Sequence, residues 1–401
     1  MKRTVLTNWR ILCLFALVTV LIAAADVGPE ATTGYDTLTN GAVDQATHDA
    51  DRDQFEEPAT PATGLGPLYN ATSCVDCHQD PVTGGSSQVS EMRAGHMEHG
   101  VFVNPEGGIS LVHDRATNRQ IQQRIPATED IHAFRMSTSV LGLGYVEAVD
   151  DQTLLDLATQ EAKLTNGQIH GQAIMVPVLE APGTTRVGRF GWKDQHASLL
   201  SFAADADQGE KGVTSRLLPT EMPYFGRPVD AFNQDTTEPN DTEGDIDFYA
   251  RYMRATKAPP RGGITPEVQA GQAVFQKLGC DVCHTPTLQT APPGTSLNGG
   301  LFVVPAALGG KTIHPFSDFL LHDVGTGDGI VQNGGPDSRN KLRTTPLWGL
   351  RTRGRLLHDG SASDLTTAIE RHGGEAKNVQ QQFRNLQRDD LKSLLVFLNS
   401  L

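Results

Sequence analysis

The 401-residue sequence predicts a mainly α fold with long irregular loops, assembled from two similar units. Three observations lead there. Two clusters of identical spacing, "CVDCH" at 74–78 and "CDVCH" at 280–284, recur in distant parts of the chain. Glycine and proline are abundant (41 and 23 residues) and alternating β-branched runs are scarce, which disfavours long strands. A weak internal repeat joins the halves. "SVLGLGYVEAV" (139–149) echoes "PLWGL" (346–350), and "GRFGWKDQHASLLSFAADA" (188–206) echoes "GRLLHDGSASDLTTAIERH" (354–372).

The chain opens with Lys2, Arg3 and Arg10, an apolar run from Ile11 to Ala23, and then "AAAD". That order reads as a secretory signal peptide over residues 1–25, cleaved near Ala25. A membrane anchor is the competing reading, but the run falls short of the roughly 20 apolar residues that a spanning helix needs. Export to the periplasm is therefore expected, leaving a chain that is not an integral membrane protein. Loss of Lys2, Arg3 and Arg10 takes the formal net charge from −14 to −17. Such a chain repels nucleic-acid phosphates. Its acidity suits either a basic protein partner or plain solubility. Residues 26–60 are acidic and poor in large apolar side chains, so they read as an extended N-terminal arm.

With Cys13 inside the apolar run, the exported chain keeps Cys74, Cys77, Cys280 and Cys283. Disulfides suit an exported protein, but here each CxxC pair is followed at once by a histidine. One zinc site built from both pairs would close a loop of about 200 residues and leave both histidines unexplained. Thioredoxin-like chemistry needs a βαβ context that neither pair has. Covalent c-type haem explains the whole pattern. The two thiols add across the haem vinyl groups and the adjacent imidazole lies beneath the iron. Two such haems are expected, one on Cys74, Cys77 and His78, the other on Cys280, Cys283 and His284.

The first haem domain is read as residues 61–255, from just before "GLGPLYN" through the turn-rich stretch "AFNQDTTEPNDTEGD" (231–245), a surface loop or linker. The second spans 256–401. There Thr265 can cap a helix with Pro266 at its first position, and Val268, Val274, Phe275 and Leu278 form a stripe leading into Cys280. The chain ends in "DDLKSLLVFLNSL", where Asp389 or Asp390 caps and Leu391, Leu394, Leu395 and Leu398 share a face. A helix before the haem motif and an amphipathic helix at the end make a cytochrome c-like layout.

The segments "GLGPLYNATSCVDCH", "GRFGWKDQ", "GCDVCHTP", "SDFLLHDVGTGDG", "RTTPLWGL" and "LLHDGSASDLTTAIERHGGEA" together resemble the bacterial dihaem cytochrome c peroxidase/MauG superfamily. Within it they are most similar to the dihaem oxidoreductase family sometimes labelled "predicted thiol oxidoreductase". The thiol label finds little support, since all four mature cysteines are assigned to haem. The resemblance implies two haems of unequal role, one receiving electrons and one meeting peroxide. It implies a small electron-donor protein, a cytochrome c or a cupredoxin. The substrate it implies is H₂O₂ or, in the MauG manner, another protein. A pure dihaem electron carrier is the reading from a different class.

The resemblance also suggests roles for single residues. Aligned on "LLHDG", His372 falls where the sixth ligand of the C-terminal haem stands as Met in the peroxidases and Tyr in MauG. The competing reading is a solvent-facing helix histidine beside Glu370 and Arg371. His358 is expected to hydrogen-bond near the haem edge. His96 of "GHMEHG" lies near where some peroxidases carry a removable distal histidine, or else in a surface loop. Trp192 matches the tryptophan between the haems, with a core tryptophan as the alternative. Glu210 stands at a suitable distance beyond it for the acid/base that peroxide cleavage needs. "LRTTPLWGL" resembles the segment whose carbonyls help hold an interdomain Ca²⁺ in relatives.

Overall fold

The computed structural model describes residues 28–401 apart from 235, 236 and 238. The expected signal peptide and Cys13 lie outside the described residues. Among those described, no helix is long and apolar enough to cross a membrane. The expectation of a mainly α fold is overturned. Helix accounts for 32% of the chain and strand for 15%, and loops dominate.

The part read as all loop and helix holds a four-stranded antiparallel sheet. Its long strand, Ser90–Glu98, pairs with Val101–Val103, Leu111–Val112 and Ile131–Met136. The alternation that should announce Ile131–Met136 is inverted. Arg135 points inward and is 2% exposed, while Phe134 points outward at 49%. Arg135 can do so because Asp328 accepts from its Nε at 2.8 Å and lies 2.7 Å from its Nη2. A buried charge needs such pairing.

Two helix pairs carry the rest. Helices α1 (Gln45–Glu56) and α5 (Asp245–Ala255) flank the first CxxCH cluster and pack together through Phe55, Tyr249 and Tyr252. The segment read as an extended arm therefore contains a helix, capped by the Asp44 side chain on Thr47 N. Its acidic residues mislead because Asp51 is buried, in a two-point ion pair with Arg251. Residues before α1 do run extended, bridging Thr33 to Ala258 and Glu30 to Thr312 and so tying the chain's beginning to its second half. Between the pairs lie α2 (Leu143–Glu147), α3 (Asp151–Leu164) and α4 (Leu199–Ala206).

In the second half, α6 (Pro266–Leu278) starts on Thr265, whose Oγ1 accepts from Val268 N, and stops at Gly279 with φ +82°. It crosses the last helix, α9 (Arg388–Leu398), at Gly271. A Cβ there would sit 1.9 Å from the Ser393 carbonyl oxygen, so only glycine permits the approach. Phe275 meets Phe397 at 5.2 Å and Phe316 at 6.2 Å. Each such aromatic pair contributes about 0.5–1.5 kcal/mol beyond its buried area. Asp389 and Asp390 occupy the first turn of α9 and favour its positive end, while Gln387 takes the cap position. Helices α7 (Leu365–Glu370) and α8 (Lys377–Arg384) close this half. One apolar core runs through both halves, from Phe55 and Tyr145 to Leu320 and Trp348.

The repeat seen in the sequence is real in three dimensions. Phe190 bridges His196 and Leu356 bridges Ala362, each closing a tight hook. Within the hooks Gly191 matches Leu357 (φ +78° and +69°), and Asp194 matches Gly360 (+51° and +67°). Each hook feeds a helix through a side-chain cap, Ser198 for α4 and Asp364 for α7. Trp192 and His358 are the equivalent residues of the two hooks. Counted from the two caps, Ala206 stands where His372 does.

Candidate functional site

The turn Cys280–Val282 begins where Gly279 ends α6, and it brings Cys280, Cys283 and His284 to one wall of a cavity of about 670 Å³. That lies within the roughly 300–1,000 Å³ usual for cofactor sites. His372 lines the same cavity, just past the end of α7. Each imidazole is fixed through Nδ1, His284 by the Phe316 carbonyl at 3.1 Å and His372 by the Ala368 carbonyl at 2.8 Å. Nδ1 therefore carries the proton and Nε2 is the free donor atom, as a metal-ligating histidine requires. Burial pushes His284 down to about 4 and lowers His372 as well, favouring the uncharged imidazole in both. Two thiols and two imidazole nitrogens on one cavity are a donor set that would fit a covalently held haem.

Trp192 and His358 line the cavity too, their rings 6.1 Å apart and edge-on. The His358 Nδ1 is buried with no hydrogen-bond partner among the described residues. The strand end Met136–Ser137 links this wall to the first cluster. Trp192 Nε1 donates to the Met136 carbonyl at 2.8 Å, and Met136 N donates to the His358 carbonyl at 2.6 Å. Ser137 Oγ donates to the Cys77 carbonyl at 2.7 Å.

At the first cluster the Asp76 carboxylate accepts from Thr72 N and Ser73 N and so folds the turn that carries Cys74 and Cys77. His78 Nδ1 lies 3.3 Å from the Gly85 carbonyl, and its ring faces Phe55 at 6.4 Å. His284 with Phe275 repeats this arrangement at 6.2 Å. Both CxxCH histidines thus have a backbone carbonyl against Nδ1.

Glu210 belongs to a π-helical turn, Asp207–Lys211, that extends α4. Its carboxyl accepts from Asn70 Nδ2 at 3.0 Å. Burial, then the charge of Glu91, pushes Glu210 up to about 8. Burial works against ionisation of Glu91 too, but the Arg93 guanidinium overcomes it through contacts of 2.7 and 3.0 Å. Both carboxylates act on the Cys77 thiol, which places the pair beside the first cluster. His96, by contrast, is engaged with Glu129, its Nδ1 2.8 Å from Oε2.

The family described as "Di-haem oxidoreductase, putative peroxidase" matches residues 109–401. The chain belongs to that di-haem oxidoreductase family. The second CxxCH cluster lies within the matched stretch and the first precedes it. This di-haem oxidoreductase is thus an enzyme of a two-haem, peroxidase-like family. Among solved structures it is similar to hydrazine synthase of Kuenenia stuttgartiensis, at 14% identity and TM-score 0.43 over 98% of this chain and 100% of that one. A MauG-like protein associated with microbial copper homeostasis gives 15% and 0.41, over 95% of each chain. The diheme peroxidase BthA from Burkholderia thailandensis gives 13% and 0.42, over 94% and 92%. No curated protein matches.

Sequence reading of the di-haem oxidoreductase passed over a buried ionic chain. Lys193, next to Trp192, directs its ammonium at Asp328 (3.0 Å) and at the carbonyls of Ser338, Arg339 and Lys341 (3.0, 2.9 and 2.7 Å). Asp328 holds Arg135, and Arg135 reaches Glu91 at 3.8 Å. The available signal was "SEMR", in which Glu91 and Arg93 stand two apart on one face of a strand.

The calcium expected at "LRTTPLWGL" does not fit. The Thr344 carbonyl accepts from Ser317 Oγ at 2.5 Å and the Gly349 carbonyl from Thr352 Oγ1 at 2.7 Å. Arg353 Nη2 donates to the carbonyls of Pro346 and Trp348 at 2.7 and 3.4 Å. A guanidinium already supplies positive charge there. Exhaustive chelation of the holoprotein should accordingly leave its haem spectra and turnover unchanged; activity restored by Ca²⁺ after chelation would contradict this.

Proposed function

We propose that this enzyme reduces hydrogen peroxide to water in the periplasm, at an N-terminal haem held covalently by Cys74, Cys77 and His78. Two electrons and two protons convert each H₂O₂ to two waters. Cys280 and Cys283 would hold the second haem and His284 and His372 would offer their Nε2 atoms to its iron; that haem would take single electrons from a small cytochrome c or cupredoxin. The haems, when bound, supply one-electron storage and the iron at which peroxide is cleaved. Trp192 and His358, ring edge to ring face, form the aromatic bridge between the two motifs. Glu210 takes a proton from one peroxide oxygen and returns it to the other. The first segment's charged-then-apolar order supports export.

The observation that carries this reading is the repeated hook. It sets Ala206, a methyl group, at the first-half equivalent of His372, while Glu210 follows one turn later. The same scaffold thus offers a ligand in one half and a proton carrier in the other. The test is a spectrum of the pure holoprotein, oxidised and half-reduced, with peroxide added. Half-reduced protein should show one low-spin and one high-spin haem, and should consume one peroxide per two donor electrons. Two low-spin haems inert to peroxide would leave an electron carrier instead.

Covalent attachment is checked separately. The mature protein should exceed its polypeptide mass by two haems, and Cys283→Ala should reduce or abolish loading at the second cluster while the first stays full. Zinc in place of iron, or haem freely extracted by organic solvent, would end the c-type assignment.

A further inference from the structure

We propose that Asp328 is a positioning residue for Trp192: its carboxylate grips the chain neighbours of both partners in the Trp192–Met136 hydrogen bond and so holds the indole against His358. The inference rests on reading Trp192 as the bridge between the two motifs and adds the group that aims it. The indole's one donor, Nε1, gives its hydrogen bond to the Met136 carbonyl at 2.8 Å. The residue after Trp192 and the residue before Met136 both end on Asp328. Its Oδ1 lies 3.0 Å from the Lys193 ammonium, and its Oδ2 lies 2.8 Å from Arg135 Nε and 2.7 Å from Nη2. A closed ring results, from the indole through Lys193, Asp328, Arg135 and Met136 back to the indole.

The ring is built to keep its shape. All three charged side chains are buried, with side-chain exposures of 1% or less. Neither cation can leave the carboxylate without stranding a buried charge. Lys193 is anchored further by the carbonyls of Ser338, Arg339 and Lys341, and Asp328 by Ile330 N, which donates to Oδ1 at 3.0 Å. Main-chain bonds hold both ends. Arg343 N donates to the Trp192 carbonyl at 2.9 Å, and Met136 N donates to the His358 carbonyl at 2.6 Å. The second of these brings His358 into the same frame, so one clamp sets both rings at their 6.1 Å separation. An apolar cluster of the same volume would be about as stable, but directional charged hydrogen bonds add a single orientation.

The test uses the holoprotein and two readouts. One is the rate at which an electron placed on the C-terminal haem reaches the N-terminal one. The other is the ultraviolet resonance Raman band of the Trp192 indole N–H, identified as the band missing from Trp192→Phe. Asp328→Asn and Lys193→Met should both shift that band toward weaker hydrogen bonding. Both should slow the interhaem step by about tenfold or more, as small misplacements of a reacting pair do. The two variants remove charges of opposite sign, so a mere change of field would move the rate in opposite directions. The double variant Lys193→Met/Asp328→Asn keeps the net charge, and it covers the case in which Asp328→Asn, with two buried cations facing an amide, folds poorly. It should be as slow as the single variants. An unmoved indole band, opposite changes in rate, or a double variant that recovers the wild-type rate would overturn the proposal. An unchanged interhaem rate in Trp192→Phe would instead refute the bridge, and the indole band alone would then decide on the clamp.

Discussion

Glu210→Gln is expected to lower peroxide turnover by about 10²–10⁴-fold, the usual contribution of a positioned acid/base. The amide oxygen can still accept from Asn70 but the side chain cannot carry a proton between the two oxygens. Both haems should load normally, because Glu210 touches neither histidine of the CxxCH clusters. The pH dependence has a definite sign. Glu210 sits at about 8, so its unprotonated, proton-accepting form grows as pH rises through that value. Wild-type turnover should rise with pH over the same range, and Glu210→Gln should flatten the profile. A sloping profile that survives in the variant would assign the titration to another group.

His372→Gly should convert the C-terminal haem from low-spin to high-spin while the haem at His78 keeps its own signal. On that reading, removing the side chain would leave the iron with the His284 imidazole alone and open space in the cavity that both residues line. His372→Met should restore six ligands and raise the potential, since a thioether favours the reduced iron relative to a second imidazole. Electron spin resonance of the oxidised variants separates these outcomes. An unchanged low-spin signal in His372→Gly would transfer the ligand to His322 or His358, which line the same cavity. His322 is the weaker of those two, because Asp318 and Glu375 hold its nitrogens at 3.0 Å each.

What the sequence made legible was local. Helix α6 could be read from Thr265, Pro266 and the stripe to Leu278, because capping and burial there depend on neighbours in the chain. The clusters at 74–78 and 280–284 could be read because their chemistry is set by spacing alone. The sheet was hidden because its burial pattern depends on a distant acid. Without Asp328, an inward Arg135 and an outward Phe134 look like no strand at all. Helix α1 was hidden likewise, since Asp51 is neutralised by Arg251, 200 positions away. Glu210 was found by its distance from Trp192, but Glu91 was not. Nothing in "SEMR" says that a turn more than a hundred residues later folds back onto it.

The two hooks have a consequence for how such an enzyme diversifies. They are one backbone form used twice, tipped by an indole in one copy and an imidazole in the other, and followed by a methyl in one copy and an imidazole in the next. Neither form depends on what its tip carries, since the bridge, the left-handed turn residues and the caps belong to the main chain and to Ser198 and Asp364. Two segments built on one backbone form can take different tips by point substitution while the shared form is kept.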